Sequence, residues 1–78
     1  MKLKDRILEI CNDVCHKELS VDEQLIITGL LDSFKIMELI CSLEEEFHIE
    51  FLPEEISELD NFSCVNHIIN IVVKKKES

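Results

Sequence analysis

Apolar residues recur at helical spacing in three stretches of this chain. Leu3, Ile7, Ile10, Cys11 and Val14 are separated by Lys, Asp, Glu and Asn, which predicts an amphipathic helix over residues 3–16. From Lys17 to Asp32 the period lapses. Leu19, Val21, Leu25, Ile26 and Ile27 make this stretch apolar enough to pack over a bundle as a crossover between helices. Helical spacing resumes at Ser33 and runs to Phe47. Pro53 then breaks the chain, Glu54 to Leu59 suits one short helix, and Phe62, Val65, Ile68, Ile69 and Val72 predict a last helix capped by Asn61 or Ser63. The expected fold is all-α, a small bundle of three main helices plus one short helix. Ile7, Ile10, Ile40, Leu43, Phe47, Val65 and Ile68 are expected in its core.

The helix predicted from Ser33 has two apolar sides. Ile36, Leu39, Ile40, Leu43 and Phe47 line one of them, a stripe suited to a bundle core. Phe34, Met37 and Cys41 fall roughly 150° away on the ideal wheel, among Glu38, Glu44 and Glu45. Burial on both sides is hard to arrange in so short a chain, whereas apolar knobs rimmed by carboxylates suit docking onto a partner's groove and basic side chains. The run Glu44-Glu45-Glu46 near the C-terminal end opposes the helix dipole and is expected to contribute nothing to the fold.

Composition narrows the classes of function. The 78 residues suit a single domain, residues 1–78, too short to enclose a deep catalytic cleft, which argues against an enzyme. One Gly, one Pro and no Trp or Tyr agree with helices. Seventeen acidic against eight basic residues leave a net charge of −9, which repels nucleic acid and favours protein partners with basic patches. No apolar run reads as a signal peptide or a membrane span, so a cytoplasmic monomer with reduced Cys11, Cys15, Cys41 and Cys64 is expected. Lys74, Lys75 and Lys76 suit the negative end of the last helix.

Ser33 has two readings. A serine opening a helix can cap it, satisfying a backbone N–H for about 1 kcal/mol. The same position favours a phosphate, because free N–H groups and the positive end of the dipole converge there.

The stretch Gly29-Leu30-Leu31-Asp32-Ser33-Phe34-Lys35-Ile36-Met37-Glu38-Leu39, followed by Leu43-Glu44-Glu45-Glu46-Phe47, resembles the Asp-Ser-Leu signature and acidic recognition helix of the acyl and aminoacyl carrier proteins. The resemblance implies that Ser33 receives covalent 4′-phosphopantetheine from coenzyme A, with Asp32 helping to engage the phosphopantetheinyl transferase. It implies partner contacts from Glu38, Glu44 and Glu45, and apolar contacts beside the arm from Phe34 and Met37. It further implies an adenylating ligase or acyltransferase that loads the arm, and downstream enzymes that accept the acyl or aminoacyl thioester.

Two departures bear on partner choice: Phe34 stands where the family usually has Leu, and Leu52 is an extra residue before Pro53. Neither removes the serine. Gly-Leu-Leu-Asp-Ser in a short chain looks more like the D-alanyl and other discrete aminoacyl carriers than the carrier domains of peptide megasynthases, which usually have His before Ser. Fatty-acid carriers have an equally similar acidic helix.

The same residues are compatible with other chemistries. An unmodified acidic helical adaptor accounts for the docking face without the arm. Cys11, Cys15 and His16, with Cys64 and His67, suggest a zinc-stabilised module, although no usual knuckle spacing is present. Three residues rather than two separate Cys11 from Cys15, which departs from haem attachment. His48 lies about 22 Å along the helix from Ser33, too far to serve as its base.

Overall fold

The computed structural model describes residues 2–77, so Met1 and Ser78, the ends of the expected domain, lie outside the described residues. Helix α1 spans Leu3–Cys15 and buries Ile7, Ile10, Cys11, Val14 and Cys15 along one face. It stops one residue short of the expected end because His16 turns left-handed, at φ 56°, and returns its N–H to the Asn12 carbonyl. Asn12 also receives the Leu19 N–H on its side-chain oxygen at 2.9 Å, so one residue both ends the helix and aims the crossover.

The crossover has no regular helix and is held at intervals. Leu19, Leu25 and Leu31 are buried, and backbone bonds run from Leu25 N–H to the Ser63 carbonyl and from Asn66 N–H to the Val21 carbonyl. Val21 and Ile27 do not pack as expected. Val21 is 40% exposed and Ile27 84%, the latter because the hydrogen-bonded turn from Ile26 to Gly29 carries it on its outer side. Gly29 sits at φ 81°, where a side chain is strained.

Helix α2 spans Ser33–Phe47, as its periodicity predicts, and buries Ile36, Leu39, Ile40, Leu43 and Phe47. His48, left-handed at φ 55°, ends it. A short α3, Pro53–Ser57, is followed by a 3-10 helix, Leu59–Phe62, and by α4, Val65–Glu77. Phe62 was expected in the last helix. It belongs instead to the 3-10 turn, where it is fully buried with its ring 6.1 Å from that of Phe51. The expected caps of α4 are also corrected: Asn61 donates to the Glu55 carbonyl, and Ser63 donates to the Asp60 carbonyl, leaving Cys64 before the helix.

One core joins α1, α2, α4, the crossover and the 3-10 helix, and it contains every residue expected there. Among the described residues no polar or charged side chain is buried. The structure is thus all-helical, with three substantial helices and a short one, and its polar chemistry is confined to the surface.

The acidic run ending α2 is not idle, contrary to the expectation. Glu44 accepts the Phe51 N–H at 2.9 Å, which turns the chain back after His48, and Glu46 pairs with Arg6 of α1 at 2.9 Å. The terminal lysines contribute as well. Lys75 lies 5.2 Å from the centre of the Phe51 ring and pairs with Glu55, while Lys76 donates to the Phe47 carbonyl.

Candidate functional site

Asp32, in extended conformation at φ −112°, precedes α2 and accepts the Lys35 N–H on Oδ1 at 2.8 Å. Its carbonyl accepts Ile36 N–H at 2.9 Å, the first bond of the helix. The capping reading of Ser33 is therefore corrected: Asp32 is the cap and Ser33 is the first helical residue. The Ser33 side chain is exposed, and its hydroxyl makes no hydrogen bond among the described residues.

The amides of Ser33 and Phe34 lie at the first two helical positions, where no intrahelical acceptor exists, and they have no other acceptor among the described residues. An exposed hydroxyl, two free N–H groups and the positive end of a 15-residue helix converge at one point. A phosphodiester on Ser33 fits this arrangement, because its oxygens can accept those N–H groups and no side chain covers the hydroxyl.

The second stripe of α2 is exposed, as the docking reading requires. Phe34 shows 78% of its surface and Met37 51%, and with Glu38, Cys41 and Ser42 they line an apolar hollow of about 370 Å³. Glu38 and Glu45 are exposed and make no ion pair among the described residues. Glu44 differs from them: half-buried and bonded to Phe51 N–H, it serves the fold as well as the surface charge.

A further apolar surface has no counterpart among the sequence expectations. Ile27 and Leu59, 84% and 53% exposed, flank a second hollow of about 380 Å³ that Ile26, Cys64 and His67 also line. The available signal was Ile27 beside Thr28-Gly29, an apolar residue at a turn rather than on a periodic face.

The residues considered for zinc do not assemble. Cys11, Cys15 and Cys64 are buried free thiols, and Cys41 is exposed. Burial, with a smaller contribution from Cys15, pushes the Cys11 thiol up to about 12, away from the thiolate that a metal would need. His67 Nδ1 lies 2.8 Å from the Asp60 carbonyl and 3.0 Å from Ser63 Oγ, within a local cluster joining the 3-10 helix to α4. No group of three or more His, Cys, Asp or Glu among the described residues is arranged to hold a metal ion. His48 ends α2, at the opposite end from Ser33.

The sequence profile of the phosphopantetheine attachment site family matches residues 5–71, most of the chain and all of α2. This chain belongs to that family: it is a carrier protein of the kind that bears 4′-phosphopantetheine covalently. Among curated proteins it is similar to the D-alanyl carrier protein of Bacillus mycoides (strain KBAB4), 32% identical over 79 residues, covering 97% of this chain and 94% of the relative. The D-alanyl carrier protein of Leuconostoc mesenteroides is 32% identical over 71 residues, covering 88% and 90%. That of Bacillus cereus (strain B4264) is 32% identical over 79 residues, covering 97% and 94%. No helix among the described residues is long and apolar enough to cross a membrane.

Proposed function

We propose that this chain is a single, monomeric, non-catalytic carrier domain that holds aminoacyl groups, D-alanyl in the first instance, as thioesters on an arm attached to Ser33. The observation that carries this reading is the free Ser33 hydroxyl: Asp32 caps α2 and leaves the serine exposed beside two unpaired amides. In the attachment step Ser33 Oγ bonds to the phosphorus of coenzyme A that carries the pantetheine, the bond to the nucleotide bisphosphate breaks, and the hydroxyl proton passes to the transferase. The bound arm supplies a thiol for the cargo. The protein's own residues orient the phosphate at the helix start and present the α2 face to partners.

Docking uses two ranges of force. Glu38 and Glu45, with Glu44, attract basic patches on the transferase, on an adenylating ligase and on the acceptor enzyme, and Phe34, Met37 and Cys41 make short-range apolar contact. The names of the relatives favour D-alanine over a long acyl chain. Partners that activate an amino acid as its adenylate and transfer it to a thiol agree with a cytoplasmic setting.

Intact mass tests the reading. Coenzyme A and a broad-specificity transferase should add one phosphopantetheine unit to the wild type and none to Ser33→Ala. A D-alanine-activating ligase should then add one alanyl unit to the holo protein. Loading with long acyl chains alone rejects the aminoacyl assignment, and an unmodified wild type beside a modified control carrier favours the adaptor.

A further inference from the structure

Helix α1 packs against both α2 and α4, whereas among the described residues α2 and α4 approach one another only slightly. Side chains fill the seam that this leaves. Leu39 and Leu43 of α2, Val65 and Ile68 of α4, Leu25 of the crossover and Phe62 of the 3-10 helix are fully enclosed in one core. Phe62 is the bulkiest of them.

Hydrogen bonds fix the order of residues along the seam. At one end the Ser63 carbonyl accepts Leu25 N–H at 2.8 Å, and the Leu25 carbonyl accepts the N–H of Leu31, two residues before Ser33. At the other end Glu44 of α2 accepts Phe51 N–H at 2.9 Å. Phe62, next to Ser63, stands between these two ties with its ring 6.1 Å from that of Phe51. Phe51 is also held from the side of α4: Lys75 lies 5.2 Å from its ring centre and pairs with Glu55, which accepts Leu52 N–H at 2.8 Å. Enclosure fixes one ring, and contacts from two helices fix the other.

A long acyl chain gains by leaving water in proportion to the surface it buries, but a close-packed interior admits it only where side chains yield. The apolar hollow of Phe34, Met37 and Cys41 starts at the residue after Ser33 and lies on the surface. We propose that Phe51 and Phe62 are specificity-determining residues for the cargo, closing the seam between α2 and α4 to long acyl chains. Such a chain lies instead on the α2 hollow and obstructs docking, whereas a small aminoacyl group with its charged ammonium needs no interior and leaves the hollow open. This rests on the reading of the chain as a carrier loaded through Ser33.

The test attaches octanoyl- or acetyl-phosphopantetheine to the full-length wild type and to Phe62→Ala, from the acyl-coenzyme A and a broad-specificity transferase, with intact mass establishing modification and Ser33→Ala its position. In the wild type the two forms should melt within about 1 °C of each other. The methyl resonances of Leu25, Leu43 and Ile68 should keep their positions on octanoylation, and that of Met37 should move. Phe62→Ala vacates space in the seam, so its octanoyl form should melt about 4 °C above its acetyl form, with Leu43 and Ile68 shifted. Should Phe62→Ala not fold, Phe62→Leu takes its place with a smaller gain in the same direction. An octanoyl chain that raises the wild-type Tm and moves Leu43 and Ile68 overturns the proposal, and so does a folded variant indifferent to chain length. A wild type that takes up neither arm beside a modified control carrier, or a Ser33→Ala protein that takes up both, overturns the attachment assignment and this inference together. A chain buried in a Ser33-modified wild type overturns the closed seam alone.

Discussion

Asp32 Oδ1 accepts the backbone N–H of Lys35 at 2.8 Å, so the aspartate, and not the serine after it, caps α2. Capping and the proposed attachment are thereby divided between adjacent residues. Asp32→Ala should cost about 1 kcal/mol, a fall in Tm of about 4–8 °C, while Asp32→Asn retains most of the stability. Ser33→Ala should leave Tm unchanged or slightly raised, since it removes an unbonded hydroxyl and introduces a better helix former. Thermal unfolding of the three apo variants checks this. A loss for Ser33→Ala equal to that for Asp32→Ala contradicts the division.

The acids of α2 should separate by measurement. Glu44→Lys removes the acceptor of the part-buried Phe51 N–H and should destabilise by about 1–3 kcal/mol. Glu38→Lys and Glu45→Lys break no ion pair among the described residues and relieve like-charge crowding, so folding should be unimpaired. Transferase and loading rates of these two should nevertheless fall, with a flatter dependence on salt. Unchanged rates at low salt refute the docking face without touching Ser33.

Of the four cysteines, Cys41 alone among the described residues is exposed, so a native sample should take up one equivalent of a thiol reagent rapidly and four only after unfolding. Cys11 also predicts a response to base. Its thiol is raised from 9.0 to about 12, so the folded state holds that proton more tightly than the unfolded chain does. The resulting stability is fully present below about pH 9 and is lost as pH rises toward about 12. Urea unfolding from about pH 8 to about pH 10.5 should show a steeper decline in the wild type than in Cys11→Ala, each relative to its own value at the lower pH. Parallel profiles sink the assignment.

Acid should act through Glu55. The Leu52 N–H bond, and after it Lys75, hold this carboxyl below its usual 4.5, so its contribution is present above that pH and lost as pH falls through the lower folded value. Glu55→Gln should lower stability at neutral pH and flatten the decline from about pH 5 to about pH 3. Hydrogen exchange should find Leu52 less protected in this variant. An undiminished acid slope contradicts the assignment.

The bounds of α2 were legible because its two apolar stripes and acidic rim all obey one helical period between Ser33 and Phe47. The carrier motif was legible because Asp32, Ser33 and Phe34 to Leu39 form a contiguous run within the region the family profile matches. The cap was misread for a local reason: Asp and Ser are both good capping residues, they stand side by side, and choosing between them requires the backbone angles at position 32. Phe62 was misread because its spacing to Val65 and Ile69 fits a helix as well as it fits a turn that delivers a ring to Phe51.

By itself the sequence determined the helical class, the buried faces of α1, α2 and α4, and the carrier family, since each depends on residue types at short, regular separations. Tertiary structure decided the rest. Glu46 finds Arg6 forty residues away, Lys75 finds Glu55 across twenty, and Leu25 is tied to Ser63 across the bundle. Such pairings leave no periodic trace along the chain. The same holds for Phe51 and Phe62, whose contact depends on the chain turning back after His48 and again at the 3-10 helix, because every apolar side chain is a plausible neighbour for a ring until packing fixes which of them it can reach.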